Sequence, residues 1–342
     1  MEGQPVRDDT SSAGKSAPDR NLALELVRVT EAAAMATGRW VGRNDTHGAV
    51  AAAIHAMRVM LGTVEMVGTI VIGEGPEDDP ASLLPGETVG DGTGLAYDVA
   101  LDPVDGISFT AKGLSNAISM LCVAPRGAML NPRAYAQVDR IVGGRESQGL
   151  LDVRVPIREN VIALAKARSC HASDITVGML ARPHHEQLAR EVREAGARIR
   201  FLTTGDVTAA FLAASAGSGI DLMVGRSSLT DSVIAACAVK ALGGTLQACA
   251  EPRDDRERAP LESNEVEPGQ VLTADDLVRG EDAFFVLTGI TDGELVRGVR
   301  YVHDAAHTES IITRARSGTV RRMQSVHQLD RLARFSSVDY QP

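Results

Sequence analysis

The stretch from residue 175 to residue 242 constrains the fold most. Three apolar runs, 175–180, 199–202 and 220–224, alternate with three helical patterns, 185–195, 207–214 and 232–242. Parallel strands need a crossover connection, and a helix is the usual one, so this alternation predicts stacked β-α-β units and an α/β fold. Gly196 falls where a helix ends on a left-handed residue. Upstream, 69–72, 96–101 and 117–124 read as strands, the last almost wholly apolar and therefore central. One helix is expected from about Asn21, with Leu22, Leu26, Val29 and Ala33 on one face. A second is expected over 50–61, with Asp45 and Thr46 as cap candidates. Downstream, 284–288, 311–315 and 319–327 read as strands, and the charged, proline-containing stretch 251–269 as a long surface loop. Residues 1–20 are polar and expected to be disordered.

Composition excludes several functions. With 35 Lys and Arg against 45 Asp and Glu, the net charge of −10 argues against nucleic-acid binding, which needs a cationic surface. Aromatic residues at 3% leave few platforms for stacking bases. No apolar run approaches the roughly 18 residues that span a bilayer, so no membrane partner is expected. The polar N-terminus has no apolar stretch of the kind a signal peptide needs. The four cysteines are scattered, with no Cys-x-x-Cys pair; Cys122, Cys237 and Cys249 lie in apolar runs as small buried hydrophobes. A reduced, cytoplasmic setting is expected.

Acidic residues then stand at the ends of predicted strands, where α/β proteins build their sites. Glu74 follows the strand 69–72. Asp102 and Asp105 follow 96–101 in the run Asp102-Pro103-Val104-Asp105-Gly106. Asp231 immediately precedes the helix 232–242, a short loop after the strand 220–224. Pro103 fixes its own φ and biases Asp102 towards an extended backbone, so a tight turn can bring both carboxylates together. The carbonyl of Val104 adds a third oxygen. Gly106 turns the chain into a following helix, whose first N–H groups suit a phosphate oxygen. Hard oxygen donors of this kind favour Mg²⁺ or Mn²⁺.

These residues carry a resemblance. The chain resembles the class II fructose-1,6-bisphosphatases, within the lithium-sensitive, metal-dependent sugar-phosphatase superfamily that includes the inositol monophosphatases. The likeness runs from about Asn21 to Arg331. It rests on RVTEAAAMATGRWVGRND (28–45), AMRVML (56–61), GTIVIGEG (68–75), VALDPVDG (99–106), GDV (205–207), TGITDGEL (288–295) and RRMQSVHQLDR (321–331). It implies a layered α/β/α/β/α sandwich with two sheets flanked by helices. It implies a metal-binding phosphatase domain over 21–155, an α/β substrate domain over 156–290, and C-terminal strands packing back over 291–335. It implies divalent-metal hydrolysis of a phosphorylated sugar by a homo-oligomer in carbohydrate metabolism. Glu74, Asp102, Asp105 and Asp231 match the family's acids, with Asp105 and Asp231 standing for its Glu. With Val104 they form the implied metal set.

The departures bear on activity. The family's Asp early in its second helix is Val50 here, its preceding Lys is Thr46, and the Thr after its DPxEG turn is Ile107. In the superfamily that Asp and Thr hold and deprotonate the attacking water, and neither Val50 nor Ile107 has a side-chain hydrogen-bonding group. Ser108 or Thr110 is the local replacement. On the substrate side, the family's KPRH reads Arg182-Pro183-His184-His185 and its DGDV reads Thr204-Gly205-Asp206-Val207, so Arg182, His184, Gly205 and Asp206 are the implied substrate-binding residues. The family's Tyr-Met-Glu-Lys run is replaced around 136–140. Three activities are compatible with this pattern: a phosphatase of altered specificity, a catalytically impaired sugar-phosphate binder, and non-hydrolytic phosphate chemistry.

Remaining candidates keep two readings each. His184 and His185 either contact substrate or simply begin a helix. Of Arg321 and Arg322, neighbours on one strand, at most one faces a site. Asp91, in the glycine-rich turn 90–94, is placed near the site, and Asp98 is either an outer partner of the metal acids or a solvated strand residue.

Overall fold

A computed structural model of the chain describes residues 22–76, 79–203, 205–338 and 340. The expected disordered segment 1–20 lies outside them, as does Asn21. Strands β1 (Val67–Ile72), β2 (Thr88–Val89), β3 (Ala96–Asp105) and β4 (Ile118–Pro125) open a first sheet. Strands β5 (Gln137–Gly143), β6 (Thr176–Leu180), β7 (Arg198–Leu202), β8 (Leu222–Ser228), β9 (Thr245–Cys249) and β10 (Val271–Thr273) form a second. The chain then returns to the first sheet with β11 (Phe284–Gly289), β12 (Arg300–Val302), β13 (Ala305–Arg314) and β14 (Thr319–Gln328).

The first sheet runs β2-β1-β3-β4-β11-β13, with β12 and β14 both on β13; only β1 and β3 are parallel. Strand β4 is central, as its apolar run predicts. Met120, Cys122 and Ala124 face the second sheet, while Leu121 and Val123 face the opposite way. The second sheet runs β10-β9-β5-β8-β6-β7. Parallel pairing holds only for β6 with β7 and β8, so the stacked β-α-β pattern ends at β8 and the remainder is antiparallel.

Helices fill three layers. Helices α1 (Ala23–Gly38) and α2 (Thr46–Leu61) cover the outer face of the first sheet. Helix α2 begins at Thr46 because Asp45 caps it, accepting the Gly48 N–H at 2.8 Å. A short helix, α3 (Ile107–Lys112), follows β3. Helices α4 (Ile157–Ala167) and α5 (Glu186–Glu194) cover the outer face of the second sheet, and α6 (Asp206–Ala214) and α7 (Leu229–Leu242) lie between the sheets. The result is the five-layered sandwich that the resemblance implies.

Several local expectations change. The stretch 251–269 is not all loop: α8 (Asp255–Ser263) forms within it, capped by Asp254, which accepts the Arg256 and Glu257 N–H groups. Pro260 and the high charge hide that helix from periodicity. Strands β5 and β9 and helix α4 have no counterpart in the sequence reading. In β5, Asp139 and Arg140 interrupt the apolar run; Asp139 stays partly exposed, and the buried Arg140 is accommodated by Asp206, a partner distant in the chain. Strand β8 continues to Ser228 and α7 starts at once, so no loop precedes Asp231.

Candidate active site

Strand β3 does not end at Leu101 in a turn; it runs through Asp102-Pro103-Val104 to Asp105. Along a regular strand, residues three apart point to opposite faces. Here Asp102 pairs with Met120 and Asp105 with Ile118, so three steps on β3 match two on β4. The extra residue is a β-bulge, and it returns Asp105 to the face of Asp102. Pro103, lacking an N–H, loses no ladder bond in such a place. Asp102 Oδ1 accepts the Val104 N–H at 3.1 Å, which fixes its carboxylate over the bulge. Gly106 then takes φ +95, a left-handed conformation that an L side chain rarely adopts, and starts α3.

Glu74 is pinned just beyond β1. Its N–H donates to the Leu83 carbonyl at 2.8 Å and its carbonyl accepts the Leu83 N–H at 3.0 Å. A Cβ on the preceding Gly73 would stand 1.9 Å from that Leu83 oxygen, so only glycine lets the two segments close. Asp231 lies in the first turn of α7, where the Ser228 cap accepts its N–H at 2.8 Å.

Glu74, Asp102, Asp105 and Asp231 line one cavity of about 520 Å³, together with Val104, Ile107 and Ser108. Burial raises the pKa of all four carboxyls. For Asp102 the next causes are the charges of Asp105, Glu74 and Asp231, which hold it well above the carboxylate range. Asp105 is pushed up to about 7, by burial first and then by Asp231 and Asp206, with Arg182 opposing. The acids are gathered but not closed into a cage. Among the described residues, no three His, Cys, Asp or Glu side chains stand in metal-holding geometry. The donor set nevertheless fits a hard divalent cation: it is all oxygen, mutually repulsive, and short of positive charge in a desolvated cleft.

The substrate-side residues divide. Gly205 reaches the acid cavity: a Cβ there would lie 3.7 Å from Asp105 Oδ2, and its φ is +86. Asp206 opens α6 and is buried between two arginines. Arg182 Nη2 donates to its Oδ2 at 2.7 Å, and Arg140 Nη2 donates to its backbone carbonyl at 2.9 Å. Arg182 also acts on Asp105 through its charge. Thr204 lies outside the described residues. His184 turns elsewhere, into a separate cavity of about 370 Å³ on the outer side of the second sheet. His185 is structural: Nδ1 lies 2.9 Å from the Leu180 carbonyl, and Nε2 accepts the Arg226 N–H at 2.9 Å.

Other candidates fall away from the cavity. Asp98 is buried, accepts the Met129 N–H at 3.0 Å and pairs with Arg126 at 3.5 Å, so it secures the turn after β4. Asp91 sits beside Val64, whose carbonyl accepts its N–H at 2.9 Å, at the end of β1 opposite Glu74. Arg322 donates to the Leu295 carbonyl on the edge strand β14, and Arg321 is exposed. Of the two hydroxyl candidates, Ser108 lines the cavity while Thr110 is buried with an unpartnered Oγ1. The sequence reading missed Arg140. Its signal is a lone arginine between Val138 and Val142 on the buried face of a strand, which demands a carboxylate partner.

Comparison with known proteins decides the ancestry. The family model described as "Bacterial fructose-1,6-bisphosphatase, glpX-encoded" matches residues 20–327. The chain belongs to the class II fructose-1,6-bisphosphatase family. It is 37% identical over 334 residues to "Fructose-1,6-bisphosphatase class 2" of Haemophilus influenzae, covering 94% of this chain and 100% of that one. It is 37% identical over 326 residues to "Fructose-1,6-bisphosphatase 1 class 2" of Escherichia coli K12, covering 91% and 96%. Members of this family are phosphoric monoester hydrolases; at the two positions that the resemblance marks for water activation this chain holds Val50 and Ile107. Both side chains are half-buried and pack against the cluster beneath α1 and α2. No helix among the described residues is long and apolar enough to cross a membrane.

Proposed function

We propose that the protein hydrolyses a sugar phosphate with a divalent metal, Mg²⁺ or Mn²⁺, and that its specificity departs from fructose 1,6-bisphosphate. The observation that carries this is the convergence of Glu74, Asp102, Asp105 and Asp231 on one cavity, with Gly205 against Asp105 and the Arg182–Asp206 pair alongside. The chemistry supplied by a divalent metal bound there would be polarisation of the phosphoryl oxygens and a lowered pKa of water. The chain's own residues do the rest. The four acids, with the Val104 carbonyl, would hold the cation. Asp206 fixes Arg182, which offers bidentate hydrogen bonds to phosphate or neighbouring hydroxyls. Ser108 is the hydroxyl able to orient a water in the cavity. His184 faces the separate cavity on the outer side of the second sheet and takes no part in this reading. The four free cysteines, three of them buried, and the open outer edge of β14 support a cytoplasmic homo-oligomer. Phosphate release from a panel of sugar phosphates with Mn²⁺ tests the proposal. Asp102→Asn is expected to lower kcat/KM by about two orders of magnitude or more; unchanged turnover would refute the metal role.

A second reading has its own support. With Val50 and Ile107 aliphatic, the site lacks the polar side chains that position water in the superfamily, which favours a sugar-phosphate binder with slow or no turnover. The double variant Val50→Asp, Ile107→Thr separates the two. General-base help is worth about two to four orders of magnitude, so an impaired binder gains on that scale while a competent phosphatase does not.

A further inference from the structure

We infer that Arg140 is a positioning residue for the substrate's phosphate: it engages Asp206 from within the core and so keeps the Arg182 guanidinium free to meet that phosphate. The inference rests on the reading of the acid cavity as a phosphate site and deepens it. Arg140 lies on β5 between Val138 and Val142, and its side chain is fully buried between the sheets. Packing alone does not account for an arginine there. Its charge is costly to bury, and two of its groups, Nε and Nη1, have no hydrogen-bond partner among the described residues. A methionine, unbranched and apolar, would carry neither cost. What the guanidinium does gain is Asp206: Nη2 donates to its carbonyl at 2.9 Å and lies 3.4 Å from its Oδ1.

The Asp206 carboxylate therefore turns one oxygen to each of two cations. Oδ1 faces Arg140, and Oδ2 accepts Arg182 Nη2 at 2.7 Å. The cations differ in reach, since the Arg182 side chain is 38% exposed and that of Arg140 is 0% exposed. A guanidinium beside a carboxylate with both oxygens free closes on it as a two-bonded fork. By holding Oδ1, Arg140 prevents that closure. Arg182 then spends one nitrogen on Asp206, and its other N–H groups are left for an anion. They act close to the acids, because the charge of Arg182 is felt at Asp105. The bond to the Asp206 carbonyl also ties the first turn of α6 to β5, just after Gly205, whose own approach to Asp105 depends on that turn.

The test is calorimetric titration of the full chain, saturated with Mg²⁺, with inorganic phosphate. Arg140→Met and Arg182→Met are each expected to weaken phosphate binding about tenfold or more, the loss of a hydrogen bond to a charged group. Arg140→Lys, which keeps a cation on Oδ1, is expected to retain most of the affinity. In the double variant, Arg140→Met is expected to add nothing to the loss from Arg182→Met, because Arg140 acts through Arg182. A side chain that only supports the fold would not show this dependence. If Arg140→Met does not fold, Arg140→Gln replaces it in the same comparison. Unchanged affinity in either single variant, or a full further loss in the double variant, overturns the role of Arg140 while leaving the acid cavity as a phosphate site. Failure of the natural protein to bind phosphate overturns the phosphate reading itself, and the role of Arg140 falls with it.

Discussion

At Asp105 stability and the proposed metal-holding role pull in opposite directions. Its carboxyl is desolvated and faces Asp231 and Asp206, with only Arg182 opposing, so the folded protein holds the proton up to about pH 7. The unfolded chain releases it near the ordinary value of 3.8. The folded state then binds more protons, and stability falls as pH rises from about 4 to about 7. Asp105→Asn removes the conflict. It is expected to raise the melting temperature of the metal-free protein by a few degrees at neutral pH and to remove most of the further rise that Mn²⁺ produces. Thermal melts with and without Mn²⁺ at pH 5 and pH 7.5 check this; a variant that melts lower than the natural protein without metal contradicts it. Asp206 is the opposite kind of acid, held between Arg182 and the buried Arg140 as the main compensation for two guanidinium charges.

Elements set these residues in place by departures from regularity. The bulge in β3 turns Asp105 onto the face of Asp102, and the abrupt join of β8 to α7 places Asp231 in a capped first turn. A different join holds the C-terminal ribbon of β13 and β14 to α1. Glu31 of α1 is buried, which pushes its pKa up, but His327, Ser325 and Thr308 outweigh that and leave it below the ordinary value. Thr308 Oγ1 donates to Glu31 Oε1 at 2.8 Å, and His327 Nε2 lies 3.5 Å away. A lowered carboxyl gives stability that is present above the unfolded pKa of 4.5 and is lost as pH falls through the folded value. Glu31→Gln is expected to cost about 1–3 kcal/mol at pH 7. The difference in melting temperature from the natural protein narrows as pH falls through the lowered folded value, where Glu31 is itself protonated; a gap that persists unchanged on full acidification contradicts the assignment.

On the scale of the whole molecule, the two sheets share one core. The cluster between them takes Met120 and Phe285 from the first sheet, Val138 and Met223 from the second, and most of α6 and α7. Phe285 of β11 is fully buried, with its ring centroid 5.9 Å from that of Phe211 in α6. Removing that ring costs the transfer of its apolar surface and leaves a cavity on both sides of the seam. Phe285→Ala is expected to destabilise by about 3–5 kcal/mol. Denaturant melts followed by circular dichroism and by the fluorescence of Trp40, which packs on Gly48 at the far layer, should coincide in one transition; separated midpoints would mean that the layers unfold independently.

Local chemistry made the strand and helix alternation legible, together with β4, the Asp45 cap and the individual site acids. A strand such as Ile118–Pro125, buried on both faces, writes its environment into its own residues. An acid at the end of an apolar run likewise announces itself, because a carboxylate beside a hydrophobic stretch has few other uses. Folding decided what depends on partners distant in the chain. Strand β5 and the role of Arg140 needed Asp206, 66 residues away. The bulge needed the register of β4, the retirement of Asp98 needed Met129 and Arg126, and the turning of His184 away from the acids needed the outer face of the second sheet. Side-chain type and spacing fix which groups are available, but burial and charge balance are sums over neighbours that only the assembled layers supply.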